Sequence, residues 1–436
     1  MRLLFIPVLF VATFVPFTAF SQDRTDASQG MWQEFRGAGG LGLAPESRIP
    51  LEWSPKEINW ETDLPGRGWS SPVIVDDEIW LTTAVEATSE TKAVANGGQV
   101  HERVQLKALC LDRMTGSLRF TIDLFDVETP PVLHTRNSFA SPTPVVCDDR
   151  VICSFGTMGT AAIDRKSGSV IWKNEELVFD HETGPGSSPI RFGDAVIVNC
   201  DGTDRQFVVS LDGDTGSVNW RTNRSGELHE NGMMQKAFST PILIERNGDM
   251  ELVSAGANWV YGYSPEDGQE RWKVPYGDLG FSNVPRPIYD GQKLYVSSGF
   301  MKPRLIAWDL SERGTPKKVW EYVRNVPTIP SPILVKDRIY MVSDQGIVTC
   351  LKTEDGSEIY RERLKGNFAS SPVLIGERLL FCNDDGVAYW LPASDRFEVL
   401  AENDLGSAIM ATPAVVDNQL IVRTLKGLVS VGSIIE

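Results

Sequence analysis

Histidine and cysteine are scarce in this chain, with four and six residues among 436. The cysteines, at 110, 147, 153, 200, 350 and 382, are nowhere adjacent. They form no C-x-x-C or C-x-x-C-H motif, which excludes a thioredoxin-type, zinc-ribbon or attached-haem site. Only Cys147 and Cys153, across an expected hairpin, are near enough in sequence to pair; the competing reading is two buried free thiols, the commoner state on an apolar strand. Positive charge is also in short supply: 42 basic residues face 58 acidic ones, for a net charge of −16, and no basic stripe occurs. Such a chain repels phosphate backbones and anionic lipid, so nucleic-acid partners are excluded. Walker loops, G-x-S-x-G elbows and H-E-x-x-H pairs are missing. GAGGLG at 37–42 has dinucleotide-fingerprint spacing, but no strand leads into it and Pro45 and Pro50 deny it a helix, so it reads as a loop.

Long apolar runs are absent after residue 21, which leaves no transmembrane segment in the mature chain. Residues 1–21 have the form of an export signal: Arg2, an apolar stretch from Leu3 to Phe20 broken by two threonines, and small Ala19 and Ser21 for cleavage before Gln22. The expectation is an exported protein, periplasmic or extracellular and monomeric. Residues 22–30 would form a linker and 31–436 the folded domain.

What the sequence has in abundance is repetition. A Ser-Pro, Thr-Pro or Arg-Pro pair opens an apolar run at 71–72, 141–142, 188–189, 240–241, 286–287, 331–332, 371–372 and 412–413. A tight polar turn and a second run follow each, which is a hairpin signature. Several units add a third strand ending in a turn such as LDRMTG, IDRKSG or LDGDTG, then a fourth strand carrying an aromatic: Phe120, Trp172, Trp220, Trp272, Trp320 or Tyr360. Proline fits the start of an innermost strand that is paired on one side only. Four antiparallel strands every 40 to 50 residues or so read as propeller blades. The last unit has three strands, and INWETDL at 58–64 carries Trp60 where the others have their aromatic. The fold expected is therefore all-β: an eight-bladed β-propeller of four-stranded antiparallel blades, the last closed by an N-terminal strand.

The D-x-x-T-G-x-x-x-W units resemble the repeats of the pyrroloquinoline quinone (PQQ)-type propeller superfamily, which includes quinoprotein alcohol dehydrogenases and the assembly lipoprotein BamB. WQEFRGAGGLGLAP, LPGRGWSSPVI, NSFASPTPVV and NDLGSAIMATPAV are similar to exported PQQ-like propellers of planctomycete-type bacteria. The superfamily enzymes hold the quinone against a ring of two adjacent, disulfide-linked cysteines, with a calcium ion bound by Glu, Asn and Asp. No adjacent cysteines and no matching calcium set occur here, so the resemblance implies architecture without PQQ or calcium, and no cofactor is expected. The resemblance to BamB implies a protein, peptide or polymer ligand, although residues 1–21 contain no lipid-anchor cysteine.

Propeller geometry puts the loops joining strands two and three, and those between blades, on one face. Four of these are long: 83–105, 122–140, 174–187 and 222–239. They contain all four histidines, 101, 134, 181 and 229, three of them followed by Glu. Imidazole and carboxylate over one mouth would suit a metal or acid–base chemistry, but no ligand-type spacing supports a metal site. Residues leading into the first strands form the other candidate set: Arg67, Trp69, Asn137, Lys236, Asn283, Arg286, Arg324 and Asn367. With His134, His181 and Glu182 they are the expected ligand-binding residues, cations for an anionic group and Trp69 for a sugar or ring. The competing reading is that they bond their own turns. Asp201-Gly202-Thr203-Asp204, Asp344 and Asp384-Asp385 resemble calcium ligands but read better as turns. A small-alcohol or sugar oxidoreductase and a carbohydrate-binding module remain the alternative functions.

Overall fold

The computed structural model describes residues 31–87, 92–94, 97–277 and 280–433; the export-signal and linker readings fall outside them. These residues form eight repeated antiparallel sheets and one three-stranded accessory sheet. The first strands of sheets 1 to 8 are Val73–Val75, Val145–Cys147, Ile190–Phe192, Ile242–Arg246, Ile288–Tyr289, Ile333–Val335, Val373–Ile375 and Ala414–Val416. In sheet 2 the proline directly before the strand is Pro144, so the repeat pair there is Thr143-Pro144 and not Ser141-Pro142. Ser141 instead donates to Asn137 Oδ1 at 2.7 Å and helps shape the preceding loop.

The pre-proline hydroxyls tie successive sheets together. Ser71 N–H donates to Thr143 Oγ1, Thr143 N–H to Ser188 Oγ and Ser188 N–H to Thr240 Oγ1, at 2.9–3.0 Å. The series resumes from Arg286 N–H to Ser331, Ser371 and Thr412 at similar distances. Each hydroxyl satisfies a buried N–H that the strand itself leaves unpaired.

The T-G turns have a second role. Asp112 Oδ1 accepts from the N–H groups of Met114 and Thr115, and Gly116 supplies the left-handed φ of +70°. The aromatic of the neighbouring sheet then packs onto that glycine. A methyl group at Gly116 would lie 2.5 Å from Trp60, and one at Gly216 the same distance from Trp172. Trp60, Trp172, Trp220 and Trp320 each donate their indole N–H to a carbonyl of the turn they cover. The D-x-x-T-G-x-x-x-W pattern is thus an inter-sheet lock as well as a turn.

Strand Ile58–Asp63 pairs antiparallel with Gly427–Gly432, Trp60 opposite Ser430, and completes sheet 8. One apolar cluster joins Ile74 and Leu81 of sheet 1, Trp390 of sheet 7 and Leu420 of sheet 8. Cys147 and Cys153 belong to different apolar clusters, because their register puts them on opposite sheet faces. All six cysteines are buried free thiols.

Sheets 1 and 7 each gain a fifth strand that the repeat does not announce. Met31–Trp32 runs antiparallel beside the first strand of sheet 1, and Leu43–Ala44 runs parallel beside that of sheet 7. Between them the chain crosses the space bounded by the first strands. Gln33 C=O accepts from Val146 N–H of sheet 2 at 2.9 Å, and Phe35 C=O accepts from Arg286 at 2.7 Å. GAGGLG is the loop expected, but an internal one: Gly37, Gly39, Gly40 and Gly42 all have positive φ.

Candidate functional site

The turns joining strands one and two, and three and four, lie together on one face. Arg113 N–H, for example, donates to Asp77 C=O at 2.8 Å. The opposite face carries the elaborations. In sheet 1, part of what reads as loop is strand, since Glu78–Glu86, Arg103–Asp112 and Leu118–Glu128 extend the hairpins outward. Lys92–Val94, Gly98–Val100 and Leu133–His134 form the accessory sheet there.

That sheet places His134 in a cluster with Asn137, Glu182 and Lys236. Asn137 Nδ2 donates to Thr183 and Pro185 carbonyls at 2.9 and 3.1 Å, so its amide clamps the next sheet's lead-in loop. Glu182, at a left-handed φ of 63°, is ion-paired with the nearly buried Lys236. Burial, with Arg136 and Lys236 adding repulsion, pushes the His134 imidazole below its ordinary range and keeps it neutral. Its Nδ1 accepts from Arg136 N–H at 3.2 Å. Beside this cluster Arg67 lies 4.8 Å over the Trp69 ring and donates to Thr135 C=O at 3.0 Å.

The remaining candidates are elsewhere. His181 is buried behind the cluster, edge-on to Phe179, and its Nε2 accepts from Thr157 N–H at 2.9 Å. Burial holds its pKa down at about 4. Asn283 is fully buried and bonds Ala255 C=O at 3.3 Å. Arg286 lies inside, bonded to Glu34, Phe35 and Pro241. Arg324 is on the outer rim, 3.6 Å from Glu358 of an outermost strand. Asn367 bonds its backbone to Asp384, as the turn reading has it. His134, His181, His229 and Arg286 therefore do not share one opening.

Among the described residues no group of three or more His, Cys, Asp or Glu is placed to hold a metal ion. Asp201 is the partner of Arg224 at 2.7 Å, both buried, and Asp344 accepts from Thr328 N–H and Oγ1 at 2.8 Å. Residue-type reading missed an open cavity of about 340 Å³ on the same face, lined by Glu227, His229, Glu230, Asn258 and Trp259. Trp259 donates to Glu227 C=O at 2.9 Å, and Lys273 lies 5.4 Å from its ring. An indole at the start of a third strand was the available signal. Paired ions, a neutral imidazole and half-exposed indoles can recognise a polar or aromatic ligand.

A family model described as outer membrane protein assembly factor BamB, with PQQ-type repeats, matches residues 77–247, 157–323 and 312–396, well over half of the chain. The chain belongs to that family. Among solved structures, BamB from Moraxella catarrhalis superposes with a TM-score of 0.56 at 16% identity, covering 81% of this chain and 99% of that one. The computationally designed Ika8 protein superposes with a TM-score of 0.53 at 12% identity, over 80% and 98% of the two chains. A europium-containing methanol dehydrogenase gives 0.47 at 13% identity, over 90% and 89%. No curated protein matches the sequence. The family match and the BamB superposition establish a BamB-like, all-β propeller fold, and no helix among the described residues is long and apolar enough to cross a membrane.

Proposed function

We propose that the eight sheets are the blades of one closed ring, exported and monomeric, whose loop-rich face binds a protein or peptide segment without catalysing a reaction. Closure is supported by Trp60, which belongs to sheet 8 and covers the T-G turn of sheet 1. The binding reading rests on one observation. Side chains from the successive lead-ins of sheets 1 to 4 (Arg67 and Trp69, His134 and Asn137, Glu182, Lys236) cluster on a single face. On the other face the Asp and Thr of the T-G turns are taken up by their own hydrogen bonds. A rigid scaffold with chemistry confined to one set of loops is a recognition surface.

The residues do not fit a quinone held as in the superfamily enzymes, since the six cysteines are separate buried thiols and residues 34–42 occupy the space beside Arg286. A polysaccharide is the second reading, favoured by Trp259 in its open acidic cavity.

The test is a photo-crosslinking side chain placed at Trp69 or, as control, at Thr115 on the turn face, in the full chain expressed in its own host. Adducts with a defined protein from position 69 alone are expected. Equal labelling from both positions sinks the proposal. Stoichiometric quinone uptake with calcium and dye-linked alcohol oxidation would replace it with the enzymatic reading, and specific retention on a glycan array with the carbohydrate one.

A further inference from the structure

Among the described residues, three arginines are almost wholly shut off from solvent without a fully buried carboxylate partner, and they differ in how their charge is met. Arg423 donates through Nη1 to Ser70 C=O and Thr82 C=O at 2.9 Å and to Ser70 Oγ at 2.6 Å. Neutral oxygens hold it as a lock between sheets 8 and 1. Arg286 has Glu34 at 2.9 Å. Arg36 has neither arrangement. Its side chain is fully buried, and its Nε and Nη1 find no acceptor among the described residues. Its one hydrogen bond, from Nη2 to Leu41 C=O, is long at 3.4 Å.

The nearby indole N–H of Trp32, on the same segment, is also buried and unpartnered. Every orphan group on this segment is a donor, so the missing partner is an acceptor. Water can satisfy donors, but it leaves a guanidinium charge unbalanced in a low-dielectric interior. Burial and the neighbouring Arg286 bring the Arg36 pKa down to about 9, which still leaves it charged at neutral pH. Room beside it is kept by glycine: a Cβ on Gly42 would stand 3.1 Å from Nη2 and 3.2 Å from Nε.

We propose that the space between the first strands holds one small monovalent anion, a halide or a formate-sized carboxylate, against the Arg36 guanidinium. With Arg286 and Glu34 balancing each other, a single negative charge neutralises the site. The anion acts as a structural ligand that pins residues 31–44 between sheets 1 and 7, independently of what the loop-rich face binds.

The full chain, dialysed into a buffer whose only anion is bulky, should gain a few degrees of Tm on adding chloride, bromide or formate at constant ionic strength. The rise should saturate with one-site behaviour, and halide against formate separates the two sources. In Arg36→Gln the dependence should vanish. If that variant does not fold, crystals of the wild-type chain grown in bromide should show an anomalous peak within hydrogen-bonding reach of Arg36 Nε or Nη1. No anion dependence in the wild type, an equal rise in Arg36→Gln, or a water or protein carboxylate in that position with no anomalous signal overturns the proposal.

Discussion

Sheets 6 and 7 and sheets 1 to 4 are built from one repeat, yet they spend their polar residues differently. In sheets 6 and 7 the lead-ins, 323–332 and 364–372, are short, and aspartates of the four-residue turns between strands two and three bond them: Asp344 holds Thr328 and Asp384 holds Asn367. From sheet 1 to sheet 4 the segments leading from one sheet into the next, 129–144, 175–189 and 224–241, are longer, and charges reach between sheets. Glu182 meets Lys236, and Asp201 meets an Arg224 that also lies 4.9 Å over Tyr261. Self-contained loops make a scaffold, whereas loops whose polar groups find partners in the next sheet make a shaped surface.

The comparison breaks hardest at Asp201. Asp201→Asn leaves the Arg224 charge buried without its carboxylate and should cost about 3–5 kcal/mol in denaturant unfolding; a loss under 1 kcal/mol would mean the network is incidental. Next is acid. His181 has a folded pKa of about 4 against 6.5 unfolded, so the unfolded chain takes up the proton first. Stability is then fully present above pH 6.5 and falls by roughly 3 kcal/mol as the pH drops towards 4. His181→Gln should flatten that part of the profile. Trp60→Ala, on a half-buried indole that bonds Arg113 C=O at 3.0 Å, should cost about 2–3 kcal/mol. It should also expose residues 53–63 to protease before the rest of the chain.

In the regular half, Ser371→Ala removes the acceptor for Ser331 N–H and should cost about 1 kcal/mol. The smallest stability change is expected on the loop-rich face. Lys236→Met with Glu182→Gln removes a pair that is partly open to water and should shift stability by about 1 kcal/mol or less, while abolishing the crosslink from position 69.

Much of the scaffold was legible because its signals are local. Ser-Pro before a strand and T-G-x-x-x-W after one state their geometry within a few residues, and Trp60 marked the strand that completes sheet 8. The misplacement at Ser141-Pro142 had a local cause too: SPTP offers two pairs, and only the register of Val145–Cys147 chooses between them. The candidate site was legible in part. His134, Asn137, Glu182 and Lys236 cluster, whereas Arg324 and Asn367 hold the same repeat position without sharing a site, because a lead-in residue faces inward or outward according to the loop around it. Cys147 and Cys153 were separated by strand parity.

The amino-acid sequence alone determined the strand count per unit, the turn chemistry and the aromatic lock, since each depends on residues a few positions apart. Only the tertiary structure decided that residues 31–44 lie inside the molecule, that Arg36 is buried without a carboxylate, and that Asp201 belongs to Arg224. Those outcomes depend on which distant segments exclude water from one another, and burial of a charge is a property of its surroundings that no short stretch of sequence specifies.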